Sequence, residues 1–240
     1  MALRSLYVEP ERASEEIDWP ALEARDVFRI YRSGPAETVA LRGLDLKVEQ
    51  QQTVAVFGPS GSGKSTFLAL AAGLDQPSAG EVRVFGRPLG RLGERELADY
   101  RATQLALVFQ SDNLWAGLTA EQNVVTALRL AGQGDDAHDH AREALAAFGL
   151  GARAHERAGA LSGGEQQRVA IAAAAARNAP LVLADEPTGE LDEHNEEVVL
   201  EAILRLRDEA ESTVVVVTHS ERLAGAVDRV VEMRDGRAVG

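Results

Sequence analysis

The sequence predicts an α/β domain with a mainly parallel core sheet, an N-terminal antiparallel β subdomain and an inserted helical subdomain. Three observations carry that prediction. Segments 53–57, 105–109, 181–184 and 213–217 are short and almost wholly apolar, the pattern of parallel strands covered on both faces. Leu44, Leu46 and Val48 alternate with Asp45, Lys47 and Glu49, so that strand has one buried face and one wet face. Between Leu114 and Gly159 the spacing turns helical: Val124 recurs with Leu128 and Ala131, then Ala141 with Leu145 and Phe148.

Residues 1–22 are charged, contain Pro10 and Pro20 and precede the first alternating run, so they are expected to form an extension outside the core. The domain proper occupies 23–240, a length that one core can organise, since single cores stop growing at roughly 250–300 residues. Val27-Phe28-Arg29-Ile30-Tyr31 opens the antiparallel sheet. The strand at 53–57 runs into a glycine-rich turn and then a helix, where Phe67, Leu70, Ala71 and Leu74 form one apolar stripe. The helical subdomain spans about 114–176, and Gly132-Gln133-Gly134-Asp135-Asp136 turns the chain between its helices.

Composition removes several classes of function. A net charge of −13 opposes nonspecific nucleic-acid binding, which needs Lys and Arg to neutralise phosphates, so no nucleic-acid partner is expected. The absence of cysteine excludes disulfides, thiolate metal sites and cysteine nucleophiles. No run approaches the roughly 18–20 apolar residues of a membrane span, and Arg4, Glu9, Glu11 and Arg12 are followed by no apolar core of a secretory signal. The expectation is a soluble cytoplasmic chain. His138 and His140 bracket Asp139, but at i, i+2 on a helix they share no face, and no zinc site is expected there.

The strongest chemical signal is Gly58-Pro59-Ser60-Gly61-Ser62-Gly63-Lys64-Ser65, a G-x-x-x-x-G-K-S phosphate loop between a buried strand and an amphipathic helix. Its glycines let successive N–H groups point at phosphates, and the helix N-terminus adds partial positive charge. Lys64 is expected to reach the β- and γ-phosphates of ATP, and Ser65 to ligate Mg²⁺. A second signal is the apolar strand that ends in Asp185-Glu186. Asp185 is placed to hold Mg²⁺ and Glu186 to take a proton from the attacking water. A third is Leu161-Ser162-Gly163-Gly164-Glu165-Gln166, a second anion nest at a helix N-terminus capped by Ser162.

With the phosphate loop, the Leu161–Gln166 segment and the Asp185-Glu186 strand end in this order along the chain, residues 24–239 resemble the ATP-binding cassette (ABC) family. The resemblance implies the P-loop NTPase fold, with Thr66 joining the phosphate-binding set and Ser162, Gly163, Gly164 and Glu165 capping nucleotide from a second copy in a head-to-tail dimer. It further implies that Gln110 contacts Mg²⁺ and the reacting water, that His219 contacts the γ-phosphate, and that Tyr31 stacks on adenine. Transmembrane permease subunits are the implied partners, which would hold the chain on the inner face of the cell membrane.

The run Asp185-Glu186-Pro187-Thr188-Gly189 with Leu191-Asp192 is similar to the branch of lipoprotein-release, macrolide-efflux and cell-division ATPases. Departures from it are Glu190 for Asn, Gln51 for Gly, Trp115-Ala116 for Leu-Pro, Gln122 for Glu and Ser220 for Asp. Two alternatives remain at this point: an ATP-gated regulator that signals through a membrane partner without transport, and a soluble ABC ATPase of DNA repair or ribosomes. The acidic balance and single cassette oppose the latter.

Overall fold

The computed structural model describes residues 19–34, 36–189 and 191–239. Most of the expected extension, and Glu190, lie outside them. β1 (Leu22–Ser33) and β2 (Ala36–Val48) pair antiparallel, with Leu22 opposite Val48 and Ser33 opposite Ala36. β3 (Thr53–Phe57) leads into α1 (Lys64–Ala71); β4 (Ala79–Val84) and the two-residue β5 (Arg87–Pro88) complete a four-stranded sheet in the order β2-β1-β4-β5. There follow α2 (Glu94–Thr103), β6 (Leu105–Val108), α3 (Ala120–Leu130), α4 (Ala137–Ala147) and α5 (Gly163–Ala176). The chain closes with β7 (Leu181–Asp185), α6 (Glu193–Ala210), β8 (Thr213–Thr218), α7 (Glu221–Ala226), β9 (Arg229–Arg234) and β10 (Arg237–Val239).

The second sheet runs β10-β9-β3-β8-β7-β6, parallel throughout except for the terminal β9–β10 hairpin. Its strands divide their side chains between two cores, because successive residues of a strand face opposite sides. Val54, Val56, Leu181, Leu183, Val215 and Val217 join the core shared with the antiparallel sheet, α1 and α2. Ala55, Val182, Ala184, Val214 and Val216 join the core that includes α3, α4, α5 and α6. α5 and α6 contact this face of the parallel sheet, and the inserted α3 and α4 pack on α5. All the parallel strands point the same way, so β3, β7 and β8 deliver their C-terminal ends to one edge, where ligands bind in sheets of this kind.

Several boundaries differ from expectation. Ala21 and Leu22 are fully buried, so the packed domain begins before residue 23. α1 ends at Ala71, and Leu74 is 57% exposed: Gly73 adopts φ +61, which turns the chain out of the helix before the fourth residue of the stripe. β6 stops at Val108, leaving Phe109 half exposed where the chain leaves the sheet.

Candidate functional site

β3 brings the chain to Gly58 at the C-terminal edge of the parallel sheet. A Cβ on Gly58 would lie 2.2 Å from the Met233 carbonyl oxygen. Gly63 caps α1 with φ +101, and a Cβ there would lie 2.6 Å from the Ala40 carbonyl oxygen. Both positions require glycine, one for close approach and the other for both reasons. Lys64 is only 7% exposed, and its Nζ donates to the carbonyl oxygens of Gly58 at 2.7 Å and Pro59 at 3.1 Å. The start of the loop thus closes onto the ammonium of its own lysine.

Ser65, the second residue of α1, donates from Oγ to Oδ1 of Asp185 at the end of β7, two strands along from β3, at 3.3 Å. Burial raises the Asp185 carboxyl above its ordinary range; Ser65 and Lys64 oppose the rise and Glu186 adds to it. Glu186 has φ +46, a left-handed conformation that costs a non-glycine residue roughly 1–2 kcal/mol and recurs where side chains are aimed for function. Its N–H donates to Val217 O of β8 at 2.9 Å, which fixes the backbone. Its Oε1 lies 3.9 Å from Lys64 Nζ. Its Oε2 accepts from the His219 N–H at 3.2 Å and faces His219 Nδ1 at 2.9 Å, so the Nδ1-protonated ring suits a carboxylate that can only accept. Five expected site residues, Lys64, Ser65, Asp185, Glu186 and His219, therefore meet in a chain of direct contacts.

Gln110 lies on the exposed loop after β6, and its Nε2 would be 3.2 Å from a Cβ on Gly189, just past the Asp185-Glu186 turn. A residue not singled out from the sequence holds this loop. Gln167, buried on α5, donates from Nε2 to Phe109 O at 2.8 Å and Gln110 O at 2.5 Å, while its Oε1 accepts from Asn113 Nδ2 at 3.0 Å. The signal available was its position in Gln166-Gln167, two residues past the Ser162–Glu165 segment on the same helix.

Ser162 caps α5 as expected: its Oγ accepts from Glu165 N–H at 3.3 Å, and Glu165 Oε2 accepts from Ser162 N–H at 2.9 Å, a reciprocal capping box. That backbone bond is the main reason the Glu165 carboxyl sits below its ordinary range; Arg153, 3.2 Å from Oε1, also lowers it. Among the described residues, no hydrogen bond or ion pair joins Ser162, Gly163, Gly164 or Glu165 to the five that meet at the phosphate loop. Instead Gly163 and Gly164 lie against Leu191 and Asn195.

Tyr31 stands on β1 and is 39% exposed. Its hydroxyl donates to Asp75 Oδ2 at 2.9 Å, and the Arg29 guanidinium, itself paired with Asp75, lies 4.4 Å from the ring centroid, which orients the ring without burying it. His138 and His140 point to different surroundings: His138 Nδ1 is 2.9 Å from Glu121 Oε1, whereas His140 borders a cavity with Phe148 and Arg205.

Comparisons with known proteins show the family and the fold. Residues 41–189 match the ABC transporter family. The chain is 42% identical over 229 residues to the lipoprotein-releasing system ATP-binding protein LolD of Chromohalobacter salexigens, covering 95% of each. It is 38% identical over 231 residues to the macrolide export ATP-binding/permease protein MacB of an Azoarcus species, covering 96% of this chain but 35% of that longer protein. Among solved structures, the ATP-binding cassette MJ0796, a dimer in a post-hydrolysis state bound to ADP and Pi, superposes with a TM-score of 0.83 at 36% identity over 91% of this chain and 97% of that one. The chain belongs to the ABC transporter family, among its ATP-binding cassettes.

Proposed function

We propose that this chain is the subunit that binds and hydrolyses ATP in a membrane transport complex, two copies working head to tail against transmembrane permease subunits. The observation that carries the reading is the meeting of Lys64, Ser65, Asp185, Glu186 and His219 along one edge of the parallel sheet. In it, the loop 58–65 cradles the phosphates with its N–H groups, and Lys64 exchanges the Gly58 and Pro59 carbonyls for β- and γ-phosphate oxygens.

Ser65 and Asp185 are hard oxygen donors within 3.3 Å of each other, a pair suited to Mg²⁺, which takes few protein ligands and completes its shell with phosphate oxygens and water. When bound there, the ion supplies neutralisation of phosphate charge; the Gln110 side chain is assigned to the same group. Glu186, held by His219, orients water and takes its proton as the water oxygen bonds to the γ-phosphorus. The bond from that phosphorus to the β–γ bridging oxygen breaks, its electron pair leaves with ADP, and phosphate is released. His219 senses the γ-phosphate, and Tyr31 receives the adenine.

Ser162 and the glycines after it cap the nucleotide of the opposite copy, with the N-terminus of α5 facing its phosphates. The membrane partner is assigned to a groove of about 420 Å³ between α2, α3 and α5, bordered by Leu107, Leu114, Trp115 and Leu130. Trp115 and Leu130 are 56% and 67% exposed, an apolar patch of the kind that marks a binding surface. No helix among the described residues is long and apolar enough to cross a membrane. With its partner seated in this groove, the chain is assigned a peripheral position on the inner face of the membrane.

Purification from membranes with and without Leu130→Glu tests this reading. The parent chain is expected to co-purify with a multi-span protein that raises its ATP turnover, and the variant to hydrolyse ATP alone but lose the partner. A chain that hydrolyses no ATP, or whose partner is retained by the variant, contradicts it.

A further inference from the structure

The first turn of α6 touches both halves of the nucleotide machinery within one chain. On one side Glu196 Oε1 accepts from Ser220 Oγ at 2.5 Å, the length of a charge-assisted O–H···O⁻ bond. Ser220 directly follows His219 and also caps α7 by accepting from Leu223 N–H at 3.2 Å. On the other side Asn195 presses on the Ser162–Glu165 segment: a Cβ on Gly164 would lie 2.6 Å from Asn195 Oδ1. Asn195 cannot easily turn away, because its Nδ2 donates to both carboxylate oxygens of Asp192 at 3.0 Å and its N–H to Asp192 Oδ1 at 2.9 Å.

We propose that Ser220, Glu196 and Asn195 are positioning residues that link the γ-phosphate-sensing end of a chain to the capping segment that the same chain offers its partner. The inference rests on the head-to-tail reading above. Residues 195 and 196 are neighbours on one helical turn, about 100° apart around its axis, so a rigid first turn can face α5 with one side chain and the β8–α7 junction with the other. A shift of His219 toward phosphate carries Ser220 with it, and Ser220 draws on Glu196. Since Gly164 has no side chain to yield, the matching movement of Asn195 is felt by the α5 backbone directly. ATP in a chain's own site thereby orients Ser162 for the nucleotide of the other copy.

The chain's departure from the related branch fits the link. An aspartate at position 220 would set two carboxylates against each other, whereas serine donates to Glu196. A separate, largely exposed ion pair between the same helices, Arg222–Glu197 at 3.1 Å, serves as a control.

The test uses full-length chain carrying Glu186→Gln, with ATP and Mg²⁺ titrated while dimer is measured by sedimentation, and with a fluorescent ATP analogue read at protein concentrations too low to dimerise. Ser220→Asp keeps a good cap for α7 but repels Glu196. It is expected to raise the ATP concentration for half-dimerisation about tenfold, within the usual range of coupling between sites, while single-chain affinity changes by less than about twofold. Adding Glu196→Gln, whose amide can donate to the new carboxylate, is expected to bring the midpoint back to within about threefold of the parent. Ser220→Ala shifts it in the same direction without added charge, and Arg222→Ala leaves it unchanged, as exposed pairs do. Asn195→Ala combined with Ser220→Asp shifts it no further than the larger single change, because both cut one link.

A Ser220→Asp chain that dimerises like the parent, no recovery with Glu196→Gln, or additive effects of the Asn195 and Ser220 changes would overturn the link. A Glu186→Gln parent that stays monomeric in ATP refutes the head-to-tail reading itself, and the link falls with it.

Discussion

Glu186 and His219 are joined twice: one carboxylate oxygen faces both the ring Nδ1 at 2.9 Å and the backbone N–H at 3.2 Å. The residue assigned as base and the residue assigned as phosphate sensor therefore hold each other in place before nucleotide arrives. His219→Ala removes the ring contact and leaves the backbone one. Turnover is expected to fall by about 100-fold or more while ATP affinity stays within about threefold, a loss confined to kcat. Steady-state kinetics beside equilibrium binding reads both.

Lys64→Ala removes a nearly buried charge from a loop of neutral donors and from the neighbourhood of Glu186. ATP binding is expected to weaken by about 100-fold, since charge-assisted bonds to phosphate are roughly twice as strong as neutral ones. Titration calorimetry measures it, and unchanged affinity would remove the phosphate-loop assignment.

For Tyr31 the prediction separates binding from stability. The ring is part-exposed and oriented by Asp75 and Arg29 instead of being packed in a core. Tyr31→Ala is expected to cost about 1–3 kcal/mol of nucleotide binding, the worth of a base–aromatic stack, and little thermal stability without nucleotide. A large drop in Tm with normal ATP affinity would make Tyr31 structural.

Asp185 gives a pH-dependent prediction. Burial raises its carboxyl in the folded chain, so its ionised form opposes folding, and that penalty is relieved as pH falls through the raised value toward the unfolded one. Asp185→Asn keeps the shape and can still meet Ser65, so the ligand-free variant is expected to melt a few degrees higher than the parent near pH 7, roughly 2–4 °C for a chain of this size if the gain is near 1 kcal/mol. The difference should shrink on acidification. Turnover should fall at least about 100-fold in the same variant. Thermal melts from pH 4 to 7.5 check the sign.

Much of this architecture was legible because its signals are local. The phosphate loop, the Asp185-Glu186 strand end and the Ser162 cap each declare themselves within a few residues, and β3, β7 and β8 are apolar enough to be read as covered strands. β4 was missed because Ala79-Gly80 dilutes its start, leaving only Val82 and Val84 to alternate. The buried Val199, Ile203 and Leu206 of α6 keep helical spacing, yet acids around them mask the stripe. Gln167 offered only its place two residues past the Ser162–Glu165 segment, and Asn195 offered no signal. Their roles depend on which carbonyl or glycine the fold places opposite them, across 57 and 31 positions respectively.

The central claim is that ATP is held between two copies of this chain. Glu186→Gln keeps the shape of the base but cannot take the proton as a carboxylate does, so ATP should bind and persist. Size-exclusion chromatography of this variant is predicted to show a monomer without nucleotide and with ADP, and a dimer with ATP and Mg²⁺. Adding Ser162→Arg should abolish the dimer while single-chain ATP binding survives, because the capping helix would then carry a bulky side chain where phosphate belongs. A variant that remains monomeric with ATP and Mg²⁺, or dimerises equally well with Ser162→Arg, would contradict the account.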